Sequence, residues 1–232
     1  MAAPSAAERN AAMPKGAIVE FDFAAMNGAE LLFETTKKFL WDLDGIPFDD
    51  VLEARYMAGF NYHGAFSEFF PVAKTKKTAA KAALDLFMAF EAALNEAVPK
   101  SITSGFRNFV RALAAKGVKV VIATRASEAV AQEAFKPLLG PNVVVYHEDS
   151  PTYGCVKWDL WLRACATCGL KHVTTVAVTG SGHGVRSALY AGMGSMAVPN
   201  PRTAYQDYTG ANAVVDALNA DAAKELLKIL RV

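Results

Sequence analysis

The chain has 232 residues, 53% of them hydrophobic and 20% charged, and a formal net charge of +1. That length and apolar content can bury a sizeable core and exclude a disordered chain beyond the first residues. The balanced charge leaves no electrostatic footprint for nucleic acid and no polybasic patch for a membrane surface, and no apolar run reaches the roughly 18 residues of a transmembrane helix. Three cysteines suit a reducing compartment rather than a disulfide framework, so the expected localisation is cytoplasmic.

Residues 1–15 are rich in Ala and Pro and include Glu8, which reads as a flexible tail rather than a signal or transit peptide. Residues 17–21 form the first expected strand, an apolar run cut off by Asp22 and followed by the small residues Ala24 and Ala25. Residues 28–99 carry almost no strand signal. Helices are expected over 29–43, ending near Gly45; over 49–58, with Asp49 as N-cap; over 64–70; and over 78–97, where Leu84, Phe87, Phe90 and Leu94 recur at helical spacing.

From Ser101 the pattern alternates. Helix 104–116 leads to strand 118–123, helix 127–138 to strand 143–146, and helix 156–168 to strand 173–178. Helix 185–191 then leads to strand 195–198, with a short strand at 213–215 and a closing helix over 220–230. Strands alternating with helices pair in parallel through right-handed crossovers. The expectation is an α/β fold, a doubly wound parallel sheet with a helical insert after its first strand. Its segments are a tail (1–15), a core (16–27 and 100–232) and the insert (28–99).

In an open α/β sheet, ligands bind beyond the C-terminal ends of the strands. Four such ends carry chemistry here. Asp22 ends the first and Thr124-Arg125 the second. Lys157 follows the third, after the loop that holds Glu148 and Asp149. Gly180-Ser181-Gly182-His183-Gly184 follows the fourth. A carboxylate can attack while a hydroxyl and an ammonium hold an anionic group. Arg125 and Arg55 are candidates to point at that anion. The glycine-rich loop of Gly180, Ser181 and Gly182 precedes a helix, where backbone N–H groups can cradle an anion.

With these residues in this order, the chain resembles the haloacid dehalogenase-like hydrolase superfamily over roughly residues 17–230. The resemblance implies a Rossmann-like core with a helical cap at 28–99. It also implies Asp22 as nucleophile, Thr124 as the hydroxyl and Lys157 as the lysine, the catalytic set. Residues 184–193 look like the helix that follows the family's fourth motif.

Departures from the family pattern are equally specific. Family phosphatases carry Asp-x-Asp in the first motif, whereas this chain has Asp22-Phe23-Ala24. Thr179 and Gly180 stand where one or two Mg²⁺-binding acids belong. Mg²⁺ requires several hard oxygens in near-octahedral geometry. Without it, a like-charge contact at about 4 Å between Asp22 and a phosphate costs about 4 kcal/mol at an effective dielectric near 20. The lost proton donor removes a further 10²–10⁴-fold, roughly. Ordinary phosphatase turnover is therefore not expected, and no cofactor is expected either. Mg²⁺ would need substitute ligands, for which Asp22, Glu148 and Asp149 are the candidates.

Three functions stay open: a degenerate family hydrolase, an inactive relative that binds a small anionic molecule or a protein partner in the cap–core cleft, and a metal-independent dehalogenase- or phosphonatase-like enzyme. Phosphonate-cleaving relatives also have Ala in place of the second Asp, two residues after the nucleophile, and Glu53-Ala54-Arg55 with Met57 resembles their cap. Their cap lysine falls at Asn61 or Tyr62 here. The acid that dehalogenases use near the fourth motif falls on Gly184, where His183 could act as a base instead.

Three other groups of residues read as structure. Asp42-Leu43-Asp44-Gly45 matches Asp-x-Asp-Gly but follows a charged helical segment, so Gly45 reads as a helix cap. Cys155, Cys165, Cys168 and His172 read as buried or surface positions rather than a zinc set. The insert's aromatics, Phe60, Tyr62, Phe66, Phe69 and Phe70, read as a small core of their own.

Overall fold

The computed structural model describes residues 14–57, 66, 76–148 and 158–232. Six parallel strands form one sheet: β1 (Gly16–Glu20), β2 (Lys119–Thr124), β3 (Val143–His147), β4 (Thr175–Thr179), β5 (Gly194–Ala197) and β6 (Ala213–Val214), in the spatial order β3-β2-β1-β4-β5-β6. The order reverses direction at β1, so β1 lies between β2 and β4 at the topological switch point, where such sheets bind ligands.

Alternation along the strands covers both faces. Ala17, Val19, Val120, Ile122, Val176 and Val178 pack on one side with Phe106, Phe109, Leu113, Leu226 and Leu230. These come from α3 (Ser104–Ala115) and α7 (Ala220–Leu230). Ile18, Val121, Ala123 and Ala177 face the other way and meet Trp161, Ala164, Cys165 and Ala188. Those lie on α5 (Trp158–Thr167) and α6 (Gly182–Tyr190). A period of two gives each strand two buried faces, which is why they read as near-continuous apolar runs. Helix α4 (Glu128–Phe135) joins β2 to β3. Strand β2 starts after Lys116, the C-cap of α3.

Between β1 and α3 the described elements are helical. They are α1 (Gly28–Asp44), closed by a left-handed Gly45; a short turn Asp50–Leu52 capped by the Asp49 side chain; a π-turn Glu53–Met57; and α2 (Lys76–Ala97). The helix expected over 49–58 is thus a helical turn that widens into a π-turn. Of the helix expected over 64–70, only Phe66 is described, and it is helical and buried. Phe60, Tyr62, Phe69 and Phe70 lie outside the described residues. Asp42 and Asp44 are exposed at the end of α1, and Asp42 pairs with Lys38 on the same helix. Residues 14 and 15 of the expected tail are fastened: Thr174 donates to the Pro14 carbonyl at 3.0 Å and Lys15 to that of Arg231 at 2.7 Å.

The first strand ends one residue earlier than expected, at Glu20, and the chain turns at once into a helical turn, Phe21–Ala24. The Phe21 ring explains the turn. It is fully buried edge-on between Phe106 and Phe135, with ring centroids 5.0 and 4.8 Å away. Burying that ring stabilises by about 2–3 kcal/mol, which sets the direction in which the chain leaves β1. No helix among the described residues is long and apolar enough to cross a membrane.

Candidate active site

Asp22 sits in the turn that follows β1 and is 2% exposed. Both of its carboxylate oxygens are engaged by the end of β2. The Thr124 hydroxyl donates to Oδ1 at 2.6 Å, and the Arg125 backbone N–H donates to Oδ2 at 2.8 Å. Thr124 Oγ1 also accepts the Ala126 N–H at 3.1 Å, which orients the hydroxyl. Burial pushes the Asp22 carboxyl up to about 6. Its bonds from Thr124 and Arg125 and the Arg125 charge pull it down, and the nearby Glu20 charge adds to the rise.

Glu20 is the acid that the sequence reading passed over. It is the last residue of β1, 6% exposed, and its Oε2 accepts the Thr179 hydroxyl at 2.6 Å. A charged residue inside an otherwise apolar strand is costly unless paired, so Glu20 in Ala-Ile-Val-Glu-Phe was itself a signal. Thr179 holds no acid of its own but brings one from the neighbouring strand.

The fourth loop is bound up internally. Thr203 Oγ1 and the Tyr208 hydroxyl donate to the Gly180 carbonyl at 2.6 and 3.2 Å. The Gly182 N–H donates to Gln206 Oε1 at 2.9 Å, and the Gly184 N–H to Ser181 Oγ, the N-cap of α6, at 3.0 Å. The Gly182 and Gly184 donors at this helix N-terminus are therefore taken by the protein itself. Packing is equally tight. A Cβ at Gly180 would lie 1.9 Å from the Phe23 carbonyl oxygen, and one at Gly184 would lie 1.9 Å from Thr179 Oγ1. Neither position has room for the carboxylate that the family pattern places there.

The remaining candidates are dispersed. The Arg125 guanidinium lies 4.7 Å over the Phe87 ring of α2. Arg55 is exposed on the insert's π-turn. Glu148 is buried just past the end of β3 and pairs with Arg163 at 2.7 Å. Lys157, Asp149, Asn61, Tyr62 and Cys155 lie outside the described residues. Cys165 is buried and its thiol is pushed up to about 11 by that burial, which leaves it unreactive. Sequence reading also missed Arg202. Its guanidinium meets Glu30 twice, at 2.6 and 3.1 Å, Asp50 at 2.8 Å and Glu53 at 3.0 Å, and it stacks 3.5 Å over Phe33.

At the family's metal positions the described residues offer few ligands for Mg²⁺. No three metal-ligating side chains gather among them. Ala24 and Gly180 offer no side-chain oxygen, and Glu148 Oε1 pairs with Arg163.

A parallel sheet with a helical insert after β1, and a buried Asp at the switch point beside the Thr of the next strand, defines a class of hydrolase folds. The sequence model for "haloacid dehalogenase-like hydrolase" matches residues 23–192, most of the chain. This protein belongs to that family. No curated protein matches it. Among solved structures, it resembles a family IA, variant 3 hydrolase from Entamoeba histolytica, with TM-score 0.70 and 16% identity, covering 94% of this chain and 100% of that one. A phosphonoacetaldehyde hydrolase-like protein from Oleispira antarctica gives 0.68 and 16%, covering 95% and 94%. CbbY from Rhodobacter sphaeroides, in complex with phosphate, gives 0.66 and 15%, covering 90% and 96%. At such identities the likeness speaks for the fold.

Proposed function

We propose that this chain has given up metal-dependent phosphoryl transfer and uses the cleft above Asp22 to bind a small anionic molecule. One observation carries the reading: the position of the second metal acid, Gly180, is closed by the backbone of Phe23, 1.9 Å from any side chain that could start there. Loss of that acid is therefore built into the packing and is not a single reversible substitution. Phe23, which closes that position, stands between Asp22 and Ala24, where the family's proton donor would be.

In this reading Asp22 is a fixed carboxylate. Thr124 and Arg125 N–H hold both oxygens, and burial raises the titration of Asp22 to about 6, so an anion bound above it would favour the protonated, donating form. Arg125, Lys157 and Arg55 are the proposed cations for the ligand. Gly182, whose N–H is taken by Gln206, contributes loop shape, while Gly180 and Ser181 are the loop positions facing the ligand in this reading. The ligand is taken to be a small molecule; a protein partner on the same cleft is the other occupant, and neither nucleic acid nor membrane is expected from the balanced charge. The protein is read as cytoplasmic.

The retained Asp22–Thr124 contact favours a second reading, displacement without a metal. Asp22 Oδ would attack the carbon of a 2-haloacid, the carbon–halogen bond would break with release of halide, and water would then hydrolyse the ester. A carboxyl that titrates at about 6 is mostly ionised at pH 7.5 and can attack.

A panel of phosphate esters, phosphonates and 2-haloacids, with and without Mg²⁺, separates the readings. The binding reading expects no turnover above that of Asp22→Asn. Metal-independent dehalogenation that is lost in Asp22→Asn supports the second reading. Mg²⁺-dependent phosphate release that is lost in Asp22→Asn overturns both. Asp44→Asn, on the exposed end of α1, is the control and should change nothing.

A further inference from the structure

We propose that Arg202 is an ionic latch that holds the helical insert closed against the core and couples its position to the Gly180 loop beside Asp22. The residue lies in the segment after β5, on the core. All three of its carboxylate partners lie on the insert: Glu30 on α1, Asp50 on the turn that follows α1, and Glu53 on the π-turn. The sequence distance to Glu30 is 172 positions, so the contact is tertiary and joins two separate parts of the chain.

Its geometry is that of a clamp. The guanidinium engages Glu30 through two nitrogens, turns its remaining edge to Asp50 and Glu53, and lays its face on Phe33. A planar five-donor fork can do all of this at once, whereas a lysine cannot. The Arg202 side chain is only 17% exposed, while Asp50 is 81% exposed. The latch is therefore well packed on one side and open to salt on the other.

Three carboxylates around one cation leave the insert side with an excess of negative charge. When Arg202 leaves, Glu30, Asp50 and Glu53 repel one another, so release favours separation. Burial already pushes the Glu53 carboxyl up, Asp50 and Glu30 add to the rise, and Arg202 pulls it down.

On the core side the latch runs straight to the mouth. Thr203, the next residue, donates to the Gly180 carbonyl at 2.6 Å and also accepts the Asn200 N–H at 3.0 Å. Gly180 in turn rests on the Phe23 carbonyl, next to Asp22. The Pro199 to Pro201 stretch before Arg202 also lines a cavity of about 350 Å³ with Phe23 and Ala24. Glu30 follows Asp22 by eight positions at the start of α1. Both ends of the latch are thus attached to the segment that carries Asp22, which gives the coupling a contiguous physical route.

The test is a distance measurement by electron paramagnetic resonance on the full chain. Spin labels go at Asp44→Cys on the insert and Tyr190→Cys on the core, both exposed, with the native cysteines replaced. Wild-type protein should give one short distance at 20 mM NaCl and a longer second population at 1 M NaCl, because partly exposed ion pairs are screened. In Arg202→Met the longer population should rise about tenfold at low salt and lose its dependence on salt. Asp50→Asn with Glu53→Gln, which leaves Arg202 and Phe33 in place, should give an intermediate shift and guards against misfolding of the Arg202 variant. Identical distances in wild type and both variants at both salt levels overturn the latch. So does an Arg202→Met population that still shifts with salt as wild type does.

Discussion

The carbonyl oxygen of Phe23 lies 1.9 Å from the point where a side chain on Gly180 would begin. Real Cβ atoms do not sit that close to an oxygen, so the turn after β1 and the loop after β4 fit only because residue 180 is a glycine. Gly180→Ala should therefore cost about 1–3 kcal/mol, the range for forced overpacking with backbone shift. At this chain length that is a fall of roughly 2–12 °C in midpoint temperature. Gly180→Asp should be at least as unstable, and calorimetric titration should detect no gain in Mg²⁺ affinity even beside Ala24→Asp. An unchanged melting temperature for Gly180→Ala would mean that the contact is looser than the packing implies.

Asp22 has a folded-state proton affinity above its ordinary one, about 6 against 3.8. Between those two values the folded protein binds the proton more strongly than the unfolded chain. Stability from this group therefore falls as pH rises through the window, is lost in full above about 6, and is unaffected below about 4. The shift corresponds to about 3 kcal/mol. Asp22→Asn removes the titration at the expense of one of the two hydrogen bonds. Relative to wild type, the variant should thus gain about 2–3 kcal/mol between pH 4 and pH 7.5 in urea unfolding. A difference that stays flat with pH would show that Asp22 is not the titrating group.

Thr124→Val keeps the volume but deletes the donor to Asp22 Oδ1. A buried carboxylate that loses one of its bonds costs about 1–3 kcal/mol when ionised. The loss should appear above the Asp22 titration and shrink below it, and the Asp22 carboxyl carbon should titrate at higher pH than in wild type when followed by NMR. Equal destabilisation at pH 5 and pH 8 would assign Thr124 a packing role only.

The strand–helix alternation was legible because apolar runs, glycines and N-cap residues are local signals; Thr124 fell at the mouth because β2 ends in register with β1. What was not legible depends on pairs far apart in sequence. Arg202 meets Glu30 across 172 positions, and Thr179 meets Glu20 across 159. Nothing in the neighbourhood of either residue announces its partner. Counting acids at family positions made the site look emptier than it is, because Glu20 stands on the adjacent strand and no spacing rule looks there. The partner of the Gly182 N–H, Gln206, is likewise 24 positions away, whereas the Ser181 cap on Gly184 is local.

Glu20 offers the sharpest remaining test of how the two carboxylates act on each other. Its charge adds to the proton affinity of Asp22, while its Oε2 holds the Thr179 hydroxyl. Glu20→Gln can keep the bond from Thr179 through its amide oxygen and removes only the charge. The Asp22 carboxyl should then titrate at lower pH than in wild type, with the fold intact. Thr179→Val does the reverse: it leaves the Glu20 charge in place and deletes a bond that stabilises it, so the cost should be in stability, about 1–3 kcal/mol. If Glu20→Gln leaves the Asp22 titration where it was, the two carboxylates are electrostatically independent, and the rise in Asp22 comes from burial alone.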